Sequence, residues 1–181
     1  MSEDGPSRNI QEPPQAATLA VEVVRHGDAW AEGLVSDAAL ELAARAAFAQ
    51  ATPKAPRAYE IAILLTDDAE MQELNQTWRG KDAPTNVLSF SAGDGAGEDG
   101  AVGDVVIAYE TTQREAEETG ITLSDHTGHL VVHGVLHLLG FDHLNDVEAE
   151  KMEDLERKAL ASLGIADPYE RGDEAGLAEV T

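Results

Sequence analysis

Cysteine is absent from the 181-residue chain. That excludes disulfides and every thiolate metal site, including structural zinc of the cysteine type. Positive charge is scarce as well. The chain has 12 Lys and Arg against 35 Asp and Glu, for a net charge of −23. A broad, sequence-blind nucleic-acid surface displaces counterions with many cations, and this balance argues against one. Residues 1–17, 92–101 and 165–181 carry −2, −3 and −4, which leaves −14 on the remainder. Any polyanion must therefore meet a local positive site, with other charges screened beyond ~8 Å at physiological salt. Long apolar runs are also missing, since none approaches the ~20 residues of a membrane span. Residues 1–17 lack the basic start and apolar stretch of a signal peptide. The expectation is a cytoplasmic protein with no membrane partner.

Hydrophobic residues make up 43% of the chain, enough for one globular domain with a buried core. Residues 1–17 and the stretch after Pro168 read as loose tails. TLAVEVV (18–24) alternates as a half-buried strand does, and YEIAILLT (59–66) reads as a buried strand. NVLSF (86–90) and VGDVVIAY (102–109) supply two more strands, separated by the acidic glycine loop 91–101. Ser36 caps a helix to about Gln50, and Asp67 or Asp68 caps one to about Trp78. A short helix covers about 110–119, and Ser124 caps another that runs to Leu139. The last helix, about 146–163, places Val147, Met152, Leu155 and Leu160 on an apolar face. This mixture without strict alternation predicts an α+β domain, a small sheet with helices packed against it.

The densest chemistry lies in HGVLHLLGFDH (133–143). His133 and His137, four apart, share a helix face. Gly140 ends the helix cheaply in a left-handed conformation, and the returning chain delivers His143. Three protein ligands leave a fourth position for water, as in catalytic zinc sites. Coincidence is remote: with 6 His and 16 Gly in 181 residues, this spacing arises by chance about 6 times in 10,000. At 100° per residue His126, His129, His133 and His137 fall within an arc of roughly 80°. His129 is a candidate to support a ligand or touch substrate. For His126 a plain core role is the stronger expectation, and His26 has none in the site. The pattern matches H-E-x-x-H-x-x-G-x-x-H at every metal position, but Gly134 replaces the Glu that serves zinc proteases as general base. Asp142, beside the third ligand, either moves a proton or caps the turn.

A second stretch, LNQTWRGKDAPTNVLSF (74–90), carries Arg79 and Lys81 between a helix and a strand. Arg79 stays charged and binds phosphate oxygens bidentately. Three neutral imidazoles leave a zinc ion its full charge, so zinc and Arg79 would make a cationic pocket suited to phosphodiester cleavage. Thr85 and Asn86 are candidates for substrate binding or simply start the strand.

These residues resemble the YbeY family, the metal-dependent endoribonucleases of bacterial ribosomal RNA maturation. HGVLHLLGFDH is similar to the family's metal signature and LNQTWRGKDAPTNVLSF to its second. Gly103-Asp104-Val105-Val106-Ile107 is similar to its third, and the order and spacing of all three fit. The match runs from about residue 18 to Tyr169, leaving 1–17 and 170–181 outside the domain. Trp78 and Phe141 stand where the family usually has Tyr, and Ser91 where it has Pro.

The resemblance implies one domain with a mostly parallel four-stranded sheet and a zincin-like metal helix facing a cleft. It implies His133, His137 and His143 as ligands of one zinc ion and Arg79 as the functional arginine. Lys81, Asn86, His129 and Asp142 are the further candidates. The implied activity is single-strand-specific cleavage of ribosomal RNA precursor, in small-subunit maturation and ribosome quality control. The implied partners are the small ribosomal subunit, the GTPase Era and a small-subunit ribosomal protein. Two other classes compete: a non-catalytic ribosome-assembly factor with structural zinc, and a metal hydrolase of another substrate such as a peptide.

Overall fold

A computed structural model describes residues 16–170 except 32, 52–54, 56 and 94–99. The expected tails, apart from residues 16, 17, 169 and 170, and the centre of the acidic glycine loop lie outside the described residues; Tyr169, expected in the loose tail, is instead held to the domain by its hydroxyl on Glu156. The elements run β1 (Thr18–Arg25), α1 (Asp37–Ala51), β2 (Ala58–Thr66), α2 (Asp68–Arg79), β3 (Val87–Ser91), β4 (Ala101–Ala108), α3 (Tyr109–Thr119), α4 (Leu123–Leu138) and α5 (Asp146–Ser162). The four strands lie in the order β1-β2-β4-β3. β1 with β2 and β2 with β4 are parallel, while β3 runs antiparallel along β4 as an edge. This is the α+β architecture with a mostly parallel sheet.

Strand alternation divides the core between the two faces of the sheet. Ile61, Ile63 and Leu65 of β2, Val87 of β3, and Val105 and Ile107 of β4 join the cluster formed with α1, α4 and α5. Leu88 of β3 and Val106 and Ala108 of β4 point the other way, against Met71 of α2, with Leu64, Leu74 and Phe90 around them. α4 is therefore sandwiched: every residue from His126 to Leu136 is buried. Ala43, Ala44 and Ala47 of α1 are buried too, and their small side chains let α1 pack closely on α4. Each fully buried Leu, Ile or Val in this cluster contributes about 1.5–3 kcal/mol relative to exposure.

The caps follow short polar side chains. Asp67 accepts from Glu70 N–H at α2, and Asn145 from Glu148 N–H at α5. At α4 the cap is Thr122, which accepts from Asp125 N–H, so the expected Ser124 cap is corrected. Both residues suit the position, and two more residues of helix bring Leu123 onto the core. Val147 is also corrected. It is 76% exposed, whereas Met152 and Leu160 are buried, because α5 meets the core only after its first turn.

Gly103 explains the third motif. Its φ is 147°, and a Cβ there would lie 2.2 Å from the Phe90 carbonyl oxygen. Only glycine lets β4 approach β3 here, beside a register shift at Glu60/Ile61. Gly103→Ala is expected to cost about 2–4 kcal/mol from strain and overpacking. Urea unfolding measures that loss, and a change under 1 kcal/mol would contradict the close approach.

Candidate metal centre

The last turns of α4 carry His133 and His137, and Gly140 follows with φ 92°. The turn closes by Gly140 N–H to His137 O and Phe141 N–H to Leu136 O, each at 3.0 Å. The chain reverses and brings His143 back. Asp142 shapes this return, its carboxylate accepting from the His143 N–H at 2.7 Å. One nitrogen from each of His133, His137 and His143 lies within 4.8 Å of the others. The Nε2 atoms of His133 and His137 face each other at 3.0 Å. Donors of a tetrahedral zinc with 2.0–2.1 Å bonds stand about 3.3–3.4 Å apart, so this donor set fits a zinc-sized ion. The His137 pKa is lowered to about 4, first by burial and then by neighbouring His133 and His143. It is neutral at physiological pH, with a lone pair to offer.

The tautomer of His133 is fixed from below. Its Nδ1 lies 2.5 Å from Glu156 Oε1, so Nδ1 donates and Nε2 is left for a metal. Glu156, on α5, is completely buried. It also receives His129 Nε2 at 3.4 Å and the Tyr169 hydroxyl. Burial alone would raise its pKa, but the bonds and charges of His129 and His133 outweigh this and hold it well below the carboxylate range. Tyr169 is pushed above the usual phenol range by burial and by that carboxylate, so it stays a donor.

Glu156 and Tyr169 escaped the sequence reading. One signal was available: Glu156 sits four residues from both Met152 and Leu160, on the buried stripe of α5. The remaining candidates have other surroundings. His126 pairs with Glu115 at 2.7 Å, and His26 with Glu70 at 3.0 Å on the surface. Asn86 has no exposed surface and bonds Val87 N–H and Glu115, which places it inside the fold. Lys81 is exposed after α2.

Gly134 faces the sheet, not the metal cleft. A Cβ there would lie 2.7 Å from Val105 Cγ1 and 3.1 Å from Ser89 Oγ. No side chain, and so no general-base Glu, fits at this position. Ser89 completes the contact by donating to the Gly134 carbonyl at 3.1 Å. Arg79 ends α2 on the far face of the sheet, in a groove that also includes Ser89 and Asp104. Burial lowers its pKa, though a guanidinium remains charged. Ser89 thus links the Arg79 groove to the metal helix across edge strand β3.

Two outcomes follow for the centre. Glu156→Gln removes the charge that orients His133 and is expected to weaken zinc affinity about 10–100-fold, read by competition with a chromophoric chelator. Unchanged affinity would show that the carboxylate does not set the ligand. The metal-free protein is also expected to be acid-sensitive. Folded His137, with its pKa of about 4, binds fewer protons than an unfolded His near 6.5, so stability falls as pH drops between those values. Glu156 adds to the loss below about pH 4.5, where an unfolded carboxylate takes up its proton first. Thermal unfolding in chelator between pH 7 and 4 reads this, and a flat profile would contradict it.

The family model described as Endoribonuclease YbeY matches residues 31–164. Endoribonuclease YbeY of Methylocella silvestris is 54% identical over 124 residues, covering 67% of this chain and 70% of that protein. Its counterpart from Rhodopseudomonas palustris BisB18 is 48% identical over 155 residues, 83% of this chain and 92% of that protein. The one from Paramagnetospirillum magneticum is 57% identical over 118 residues, 61% and 71% respectively. A solution structure from Thermotoga maritima aligns with TM-score 0.53 at 22% identity, over 85% of this chain and 97% of that one, and supports the fold. The histidine cluster on its buried helix therefore stands in a chain that belongs to the endoribonuclease YbeY family.

Proposed function

We propose that this protein is a zinc-dependent endoribonuclease that cuts single-stranded ribosomal RNA precursor during small-subunit maturation and quality control. The observation that carries the reading is the convergence of three imidazoles within 4.8 Å, one of them oriented by a buried carboxylate. His133, His137 and His143 hold the metal. Bound zinc supplies a water of lowered pKa and a Lewis acid for a phosphoryl oxygen. Arg79 stabilises the charge that develops on the phosphodiester, as a fixed cation with planar paired donors. Asp142 holds the His143 backbone and His129 holds Glu156, so both support ligands rather than substrate. The absence of space at Gly134 weighs against the peptide-hydrolase reading.

One observation favours a second reading. With a net charge of −23, the surface suits encounter through proteins better than capture of RNA. The GTPase Era and a small-subunit ribosomal protein are the partners expected in that case, in the cytoplasm, with zinc holding structure. No helix among the described residues is long and apolar enough to cross a membrane.

Metal content and cleavage of a small-subunit precursor RNA separate the readings. Wild type is expected to cut. Arg79→Ala should keep its metal and lose about 100–1,000-fold in rate, the size seen when one charge-stabilising donor is removed. His137→Ala should lose metal and cleavage together. Full activity in Arg79→Ala would end its assigned role. Metal-loaded wild type that binds a ribosomal partner without cutting would favour the assembly factor.

A further inference from the structure

Trp78 is 69% exposed, the one aromatic among the exposed large apolar side chains of the described residues. It stands on the last turn of α2, immediately before Arg79. Its indole meets Phe90 of β3 edge-on, with centroids 6.1 Å apart and planes at 66°. That geometry steadies one edge of the indole while most of its surface stays open to solvent. Beside the pair lies a groove of about 630 Å³ floored by Ala62, Leu64 and Val106. Arg79 and Asp104 line it as opposite charges, and Ser89 forms its border with the metal helix.

We propose that this groove is a subsite for one unpaired nucleotide of the RNA, adjoining the one that is cut. The inference rests on the endoribonuclease reading above and names how that substrate is held. A base stacks on Trp78 over the aliphatic floor, and stacking tolerates any base because each has a π-face. The phosphate that joins that nucleotide to its neighbour, the one that is cut, meets Arg79. Asp104 repels a phosphate and accepts from a base amino group or a ribose hydroxyl, which sets the direction of the strand. A base paired in a duplex has no open face to offer, so the groove selects single strands. Continuity with the cleavage site comes from β3, the edge strand of the described sheet and one strand wide (~5 Å), with the groove on one side and α4, which carries His133 and His137, on the other. The charge balance strengthens the case. An acidic protein cannot hold RNA by many phosphate contacts, so affinity must come from a few strong local ones.

The test uses the full-length, zinc-loaded protein, a short single-stranded oligoribonucleotide, and the same oligomer with one abasic position. Tryptophan emission reads binding. Trp30 is buried, so quenching by the oligomer reports Trp78. The intact oligomer is expected to quench, and abasic substitution at the stacked position to abolish the quench. Trp78→Ala should weaken binding and raise KM by about tenfold to a hundredfold, with the melting temperature unchanged for a side chain so exposed. Trp78→Phe, which keeps a stacking ring, should restore most of the affinity. Efficient cleavage by wild type with an unaltered KM in Trp78→Ala overturns the subsite and leaves the nuclease standing. Quenching without cleavage supports the subsite and overturns the nuclease. Neither quenching nor cleavage overturns both.

Discussion

A single buried carboxylate organises this molecule. Glu156 has no exposed surface, and an isolated charge there would cost many kcal/mol. Its stability depends on donors, and they come from separate parts of the chain: His129 and His133 from α4, and Tyr169 beyond α5. The carboxylate therefore ties the end of the domain to the metal helix. Removing one donor would leave a buried charge underpaired, which is far more costly than losing an ordinary surface ion pair. The same bonds decide the chemistry. By accepting a hydrogen bond from the Nδ1–H of His133, Glu156 leaves Nε2 facing the cleft, where His137 and His143 also offer nitrogens.

The opposite side of α4 is constrained just as tightly. Gly134 lies against Val105 and Ser89, so the helix cannot rotate without driving its backbone into the sheet. With α5 below and β3 and β4 alongside, the direction of His133 and His137 is set by packing. A helix held this way meets a metal with little reorganisation. The same close approach accounts for the departure from the zinc-protease pattern, because a site that needs backbone against strand at 134 cannot carry a base there.

Much of this was legible from residue order. The strands, the cap at Asp67, and the reversal at Gly140 follow from local rules of periodicity and capping. The histidine spacing is a local rule too, since ligands at four and six residues need only one helix and one turn. Glu156 was hidden because its neighbours Glu153, Asp154, Arg157 and Lys158 make α5 look like a solvated charged helix. What separates Glu156 from them is the face on which it falls, and a charge on a buried face has meaning only once its distant donors are known. Asn86 shows the converse. It lies in a stretch that reads as a substrate loop, yet its amide is used inside the fold, bonded to Glu115 of α3. Val147 fits the apolar period of α5 but precedes the point where that helix reaches the core.

Charge balance shapes how such a site can treat RNA. Three neutral imidazoles would leave a divalent ion its charge, and the carboxylate behind His133 tempers that charge while raising the basicity of the ligand. Arg79 lies on the other side of β3, so a metal held by the three histidines would place a second positive charge across one strand edge from it. With 35 Asp and Glu against 12 Lys and Arg, the chain as a whole repels phosphate. Repulsion of this kind would work as selectivity under the proposed function: duplexes and long polyanions would be disfavoured against a single strand that places one base in the groove and one phosphate at the metal. For such a protein, weak general affinity for nucleic acid is a consequence of its composition and compatible with cutting RNA. The scarcity of lysine and arginine thus argues for a narrow point of contact, and the aromatic groove beside Arg79 is where the described surface supplies one.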